Sequence, residues 1–146
     1  MNRRYLFMLS LTFLLTACST NQTIETGTTN DRLSPCPKSP NCVSSLSEDK
    51  SHYVEPLTYK ATLEEAREKL ISIIKAMKRT EIVTAEINYI HATFKSSLFR
   101  FVDDVEFSFD DQKKVIDVRS ASRTGYSDLG VNRKRVEEIR KRFGNT

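Results

Sequence analysis

Beyond residue 34 the apolar positions follow two rhythms. Leu63, Ala66, Leu70, Ile73, Ile74 and Met77 recur every three or four residues, the spacing of a helix with one buried face. Thr62 opens that run and Glu65 follows on the third helical position, a capping-box pairing in which each side chain satisfies a backbone N–H at the helix start. The spacing predicts a helix over 62–78, with Lys75, Lys78 and Arg79 suited to the negative end of its dipole. A second helix is predicted over 130–143, where Val136, Ile139 and Phe143 form one stripe.

Between the helices the period drops to two. Strands are expected over 80–87, over 89–97 with Ile90, Ala92 and Phe94 on one face, over 99–109, and over 115–122 with Ile116 and Val118 inward. In the third of these, Phe99, Phe101, Val105, Phe107 and Phe109 share a face. Asn88 and the polar run 110–114 read as turns, and Tyr53–Tyr59 as a short strand that Pro56 confines to an edge. Consecutive strands joined by short polar turns predict an antiparallel meander. The expected fold is α+β: an antiparallel sheet of about four to five strands with two helices on one face. The chain has no internal repeats.

The first residues follow another logic. Arg3 and Arg4 precede an apolar stretch, Tyr5–Leu15, and then Leu15-Thr16-Ala17-Cys18. A basic head, a short apolar segment and small residues before a cut describe a secretory signal over 1–17. The apolar segment falls short of the roughly 20 residues a membrane-spanning helix needs. Leu-Thr-Ala-Cys is similar to the bacterial lipobox, which implies lipid attachment at Cys18 and cleavage ahead of it. Several acyl chains on one cysteine would hold the protein to a membrane, since each buried methylene is worth ~0.8 kcal/mol. Ser19, not Asp, follows the cysteine; in a Gram-negative cell that pattern points to the outer membrane, facing the periplasm. The Thr-, Asn- and Ser-rich remainder of 18–34 has little apolar surface to offset its ordering entropy and reads as a flexible tether. One domain, 35–146, follows.

Charge narrows the partners. Lys+Arg number 23 against 19 Asp+Glu, and removal of Arg3 and Arg4 with the signal brings the net charge from +4 to +2. So near a balance does not imply nucleic acid. The expected partners are the membrane, through the anchor, and an envelope ligand or protein. Cys36 and Cys42 sit in Cys-Pro-Lys-Ser-Pro-Asn-Cys. Outside the inner membrane a disulfide is permitted and is the favoured reading. A metal site with His52 or His91 lacks the usual zinc spacing, and a pair of free thiols is the remaining alternative. No cofactor or metal is expected.

Two segments break their own pattern. In 101–107, Asp103 shares a face with Phe101, Val105 and Phe107, while Asp104 and Glu106 share the other. A carboxylate among inward aromatics must be paired or its desolvation is costly, unless a bulge turns it outward. In 119–135, arginines, hydroxyls and glycines fill a strand-to-helix passage: Arg119, Ser120, Ser122, Arg123, Tyr126, Asp128, Asn132 and Arg133. Asp128 or Ser127 can cap the last helix, and Asn132 lies on its buried stripe. The strand hairpin can set Asp104 and Glu106 beside Arg119, and the returning helix can set Asn132 and Arg133 near Asp103. Read plainly, these residues form a structural salt-bridge network. Read for function, they form a polar site at a helix N-terminus suited to an anion. His52 and His91 read as lone surface or core histidines, and no catalytic arrangement is discernible.

Three blocks, 36–45, 96–106 and 119–133, resemble the domain-of-unknown-function family 1499, over roughly residues 34–143. That resemblance implies an exported or lipid-anchored domain and supplies no activity, cofactor or catalytic residue. Three readings of function remain: a non-enzymatic envelope module binding a ligand or partner, which is preferred; a hydrolase-like enzyme using Asp103, Asp104 or Glu106 as acid or base; and a carrier holding an apolar ligand between sheet and helices.

Overall fold

The computed structural model describes residues 33–98 and 100–144. Eight elements occur in chain order: β1 (Cys42–Ser44), β2 (Leu57–Thr58), α1 (Leu63–Ala76), β3 (Thr80–Ala85), β4 (Tyr89–Lys95), β5 (Val102–Asp110), β6 (Val115–Ser122) and α2 (Val131–Gly144). The fold is α+β, with one antiparallel sheet in the order β1-β6-β5-β4-β3 and β2 also paired to β6. The meander β3–β6 is the one its period-two pattern predicts. Thr62 and Glu65 form the expected capping box at the start of α1.

One sheet face meets both helices. Ile90, Ala92 and Phe94 of β4, Val105, Phe107 and Phe109 of β5, and Ile116 and Val118 of β6 join Ala66, Leu70 and Ile74 of α1 and Val136, Ile139 and Phe143 of α2 in a single core. Side chains at intervening positions on the strands point to the opposite face.

The elements depart from expectation at their ends. β5 begins at Val102, so Phe101 is not an inward residue; it is 53% exposed. The cause is the β4–β5 hairpin: Arg100 is left-handed (φ 54), and the Phe101 N–H donates to Ser96 Oγ at 2.9 Å. Of the strand expected over 53–59, only Leu57–Thr58 forms a strand, on β6, while Tyr53 makes an isolated parallel bridge to Ser44. The N–H groups of His52 and Tyr53 instead turn back to the Asp49 carbonyl. β1 has no counterpart in the sequence reading, because three residues are too few to show a period.

The chain reversals gather at two ends. At one lie the Cys36–Cys42 ring, residues 77–79, the β4–β5 hairpin and the 123–130 passage; pairing of Phe94 with Asp103, and of Asp103 with Ser122, sets them level. These reversals make up the loop end of the domain. The β3–β4 and β5–β6 turns lie at the other end.

Candidate functional site

Because side chains alternate along β5, the three acids in its first half, Asp103, Asp104 and Glu106, fall on two faces. Asp103 faces the helices and Asp104 and Glu106 face away, as the period predicts. No bulge interrupts the register here, so Asp103 stays buried and needs a partner.

That partner is Arg135, not Arg133. Arg135 donates to Asp103 Oδ2 at 2.6 Å, to Asn132 Oδ1 at 2.6 Å and to Ser120 Oγ at 3.1 Å. Its guanidinium lies 4.8 Å from the centre of the Phe94 ring, a cation–π contact. Asn132 is fully buried, accepts from Ser120 Oγ at 2.5 Å, and donates to Ser122 Oγ and the Asn41 carbonyl. Helix geometry explains the correction. Position 135 is three residues from 132 and shares its face, whereas 133 is turned about 100° away. Arg133 donates instead to the carbonyls of Tyr53 and Ser51, at 2.6 and 2.7 Å. Asp103, Ser120, Ser122 and Asn132 therefore do converge, through a residue the sequence reading did not select.

The opposite face carries two further sets. Arg123 grips Asp104 with two hydrogen bonds of 2.8 Å, and His91 Nε2 lies 2.7 Å from the same carboxylate. Burial acts to raise the Asp104 pKa, but the hydrogen bonds and charges of Arg123 and His91 outweigh it and hold the group well below the usual carboxylate range. The same pairing raises the pKa of Arg123. One register step along, Glu106 accepts from Arg119 and from the Tyr89 hydroxyl, both at 2.8 Å. Desolvation, then the bond to Glu106, pushes the Tyr89 phenol upward. Arg119 Nε is buried and has no hydrogen-bond partner among the described residues. Asp104 thus pairs with Arg123 and His91, and Glu106 alone pairs with Arg119. His91 is a member of this network and not a lone histidine. His91 lies opposite Glu106 in the β4–β5 register, a pairing that local spacing in the sequence does not signal.

The other selected residues take separate places. Asp128 caps α2, accepting from the N–H groups of Gly130 and Asn132. Tyr126 is exposed and belongs to neither cluster. Cys36 and Cys42 are joined in a disulfide with Cα atoms 5.6 Å apart. The ring it closes is docked by Asn41, which donates to the Gly125 carbonyl at 2.6 Å; the sequence reading passed over that residue. His52 is buried, with Nδ1 2.8 Å from the Cys42 carbonyl. Cys18 lies outside the described residues.

Chemically, Asp103, Asp104 and Glu106 are engaged in ion pairs, and among the described residues no group of three or more His, Cys, Asp or Glu could hold a metal ion. What remains open is the loop end. Leu98 (78% exposed), Tyr126 (77%) and Leu129 (87%) project from it. Leu129 is also left-handed, φ 54, which a branched residue adopts at a cost. Beside them, α1, β4 and α2 border a cleft of about 600 Å³. No curated protein matches the chain. A family model matches residues 32–143, most of its length, and the chain belongs to that family, described as Protein of unknown function (DUF1499).

Proposed function

We propose that this protein is a non-enzymatic binding module of the bacterial cell envelope, held to a membrane by lipid on Cys18, and that it meets its ligand or partner with the loop end. In a Gram-negative cell, Ser19 assigns it to the outer membrane, facing the periplasm. The observation that carries this reading is the collection of exposed apolar side chains at that end. Leu129 adopts a strained backbone conformation to present a side chain that buries nothing in the fold. Strain without a folding return is found where a chain makes contacts with something else.

The polar cluster then serves as the frame. It fixes the 119–135 passage between sheet and helix, and Arg123, whose side chain is 41% exposed, is the member that reaches the surface. The enzymatic alternative needs a carboxylate that can exchange protons with a substrate. Asp103 and Glu106 are enclosed by their arginines, and Asp104 is held ionised. The carrier alternative needs space between sheet and helices, where Leu70, Ile74, Phe107, Val136 and Ile139 pack together.

A photo-reactive residue placed at 129 in intact cells tests the reading. A discrete adduct from 129, with none from 87 at the opposite end, supports it; no adduct from 129 contradicts it. Separately, Cys18→Ala should release the protein from the membrane fraction, and retention of that variant would contradict the anchor.

A further inference from the structure

We propose that the loop end docks onto an anionic bilayer surface, its apolar tips entering the head-group layer and its cations meeting lipid phosphates. The proposal rests on the preceding reading, that this end makes the protein's contacts, and names the partner.

Charge is the first ground. Lys78, Arg79, Lys95 and Lys134 line the cleft at this end, and Arg100 lies next to it in the hairpin. All five are exposed, and none has a carboxylate partner among the described residues. Of the acids here, Glu138 in the cleft wall is paired with Arg142 at 2.5 Å, and Glu81 stands among Arg79, Lys95 and Arg100, leaving cations in excess. The opposite end is mixed in charge: Lys60 and Lys69 line a cleft there with Glu65, Asp110 and Asp111 pair with Lys113 and Lys114, and Glu64 pairs with Arg67. The loop end therefore carries a net positive charge, while the other end balances its acids with lysines and Arg67. A positive end is drawn to a negative surface within a screening distance of about 10 Å at 0.1 M salt.

The apolar tips are the second ground. Leu98 and Leu129 stand on the two loops that adjoin the cleft at Ser97 and Val131, and Tyr126 is exposed on the same loop as Leu129. Aliphatic and aromatic tips next to lysines and arginines match the layered chemistry of a bilayer, where acyl chains lie beneath phosphates. A soluble acidic ligand would leave the leucines in water.

Tethering is the third. Residues 19–32 can reach at most roughly 50 Å when extended, so a domain anchored at Cys18 stays close to the membrane. Linkage of that kind makes docking an intramolecular event at millimolar-scale effective concentration, and a weak surface affinity then suffices.

The chain contains no tryptophan, so one introduced residue reports alone. The acylated protein carrying Leu129→Trp is reconstituted in phosphatidylcholine vesicles with and without phosphatidylglycerol, and Ile87→Trp serves as the opposite-end control. With the anionic lipid, emission at 129 should shift to the blue and be quenched by brominated acyl chains. Both effects should disappear at high salt and in a Lys95→Glu, Arg100→Glu background that retains its circular dichroism. Emission at 129 indifferent to anionic lipid, or equal quenching at 87, overturns the proposal. A protein adduct from position 129 in cells together with that negative vesicle result overturns the bilayer and leaves the binding-module reading in place. Failure of 129 to touch anything overturns both.

Discussion

Asp103 and Asp104 are neighbours on one strand and meet opposite circumstances. Asp103 faces the helices, and its partner Arg135 is only 10% exposed, so neither charge has ready access to water. Asp104 faces away from the helices and is as buried as Asp103, but its partner Arg123 has a side chain 41% exposed. The first pair bolts α2 to the sheet. The second stiffens the sheet and the start of the 123–130 passage. The difference teaches that the cost of breaking an ion pair depends on the charge left behind: a stranded buried charge is expensive, and a stranded hydrated one is not.

The comparison can be broken first on the helix side. Asp103→Ala strands Arg135 in the interior and should cost about 3–5 kcal/mol in urea unfolding. Arg133→Ala loses two bonds to carbonyls at the domain's surface and should cost about 1–2 kcal/mol. Equal losses for the two variants would contradict the assignment of Arg135 as the partner.

On the face turned from the helices the effect is smaller and depends on pH. Asp104 has a folded-state pKa below its unfolded value near 3.9, so its contribution to stability is full above about pH 4 and is lost as pH falls through the lower value. Asp104→Asn should reduce stability at neutral pH and flatten the dependence below pH 4. Unfolding curves as steep in acid as those of the wild type would assign the acid sensitivity to other groups.

The disulfide ring sharpens the same contrast, because its Asn41 carbonyl accepts from Asn132 on the helix side. Replacing Cys36 and Cys42 together by serine should cost about 2 kcal/mol on the chain-entropy estimate for so short a loop. The midpoint of thermal unfolding should fall accordingly, and an unchanged midpoint would show that hydrogen bonds alone hold the ring.

Much of this arrangement is legible in the sequence, and the exceptions have physical causes. The two helices are legible because α1 carries a cap and both carry a stripe longer than two turns. The meander is legible because Ile90, Ala92 and Phe94, and Val105, Phe107 and Phe109, alternate without interruption. The division of Asp103 from Asp104 and Glu106 follows from the same alternation. Arg135 was hidden among the basic residues 133–135, since only the rotation of the helix separates them. His91 looked solitary because its partner lies on the adjacent strand, and strand register is not written in local spacing. Phe101 was misplaced because Arg100 turns left-handed, a conformation its residue type does not announce.

Leu129 offers the most direct test of the claim that the polar network holds the fold while the loop end makes the contacts. Glycine accepts φ 54 without the strain that a leucine bears, and the leucine side chain buries almost nothing. Leu129→Gly should therefore leave the denaturation midpoint unchanged or raise stability by up to about 1 kcal/mol, while contact at the loop end, read by a photo-reactive residue at the neighbouring tip position 98, is lost. A Leu129→Gly protein that is several kcal/mol less stable, or one that keeps its contact undiminished, would contradict the account.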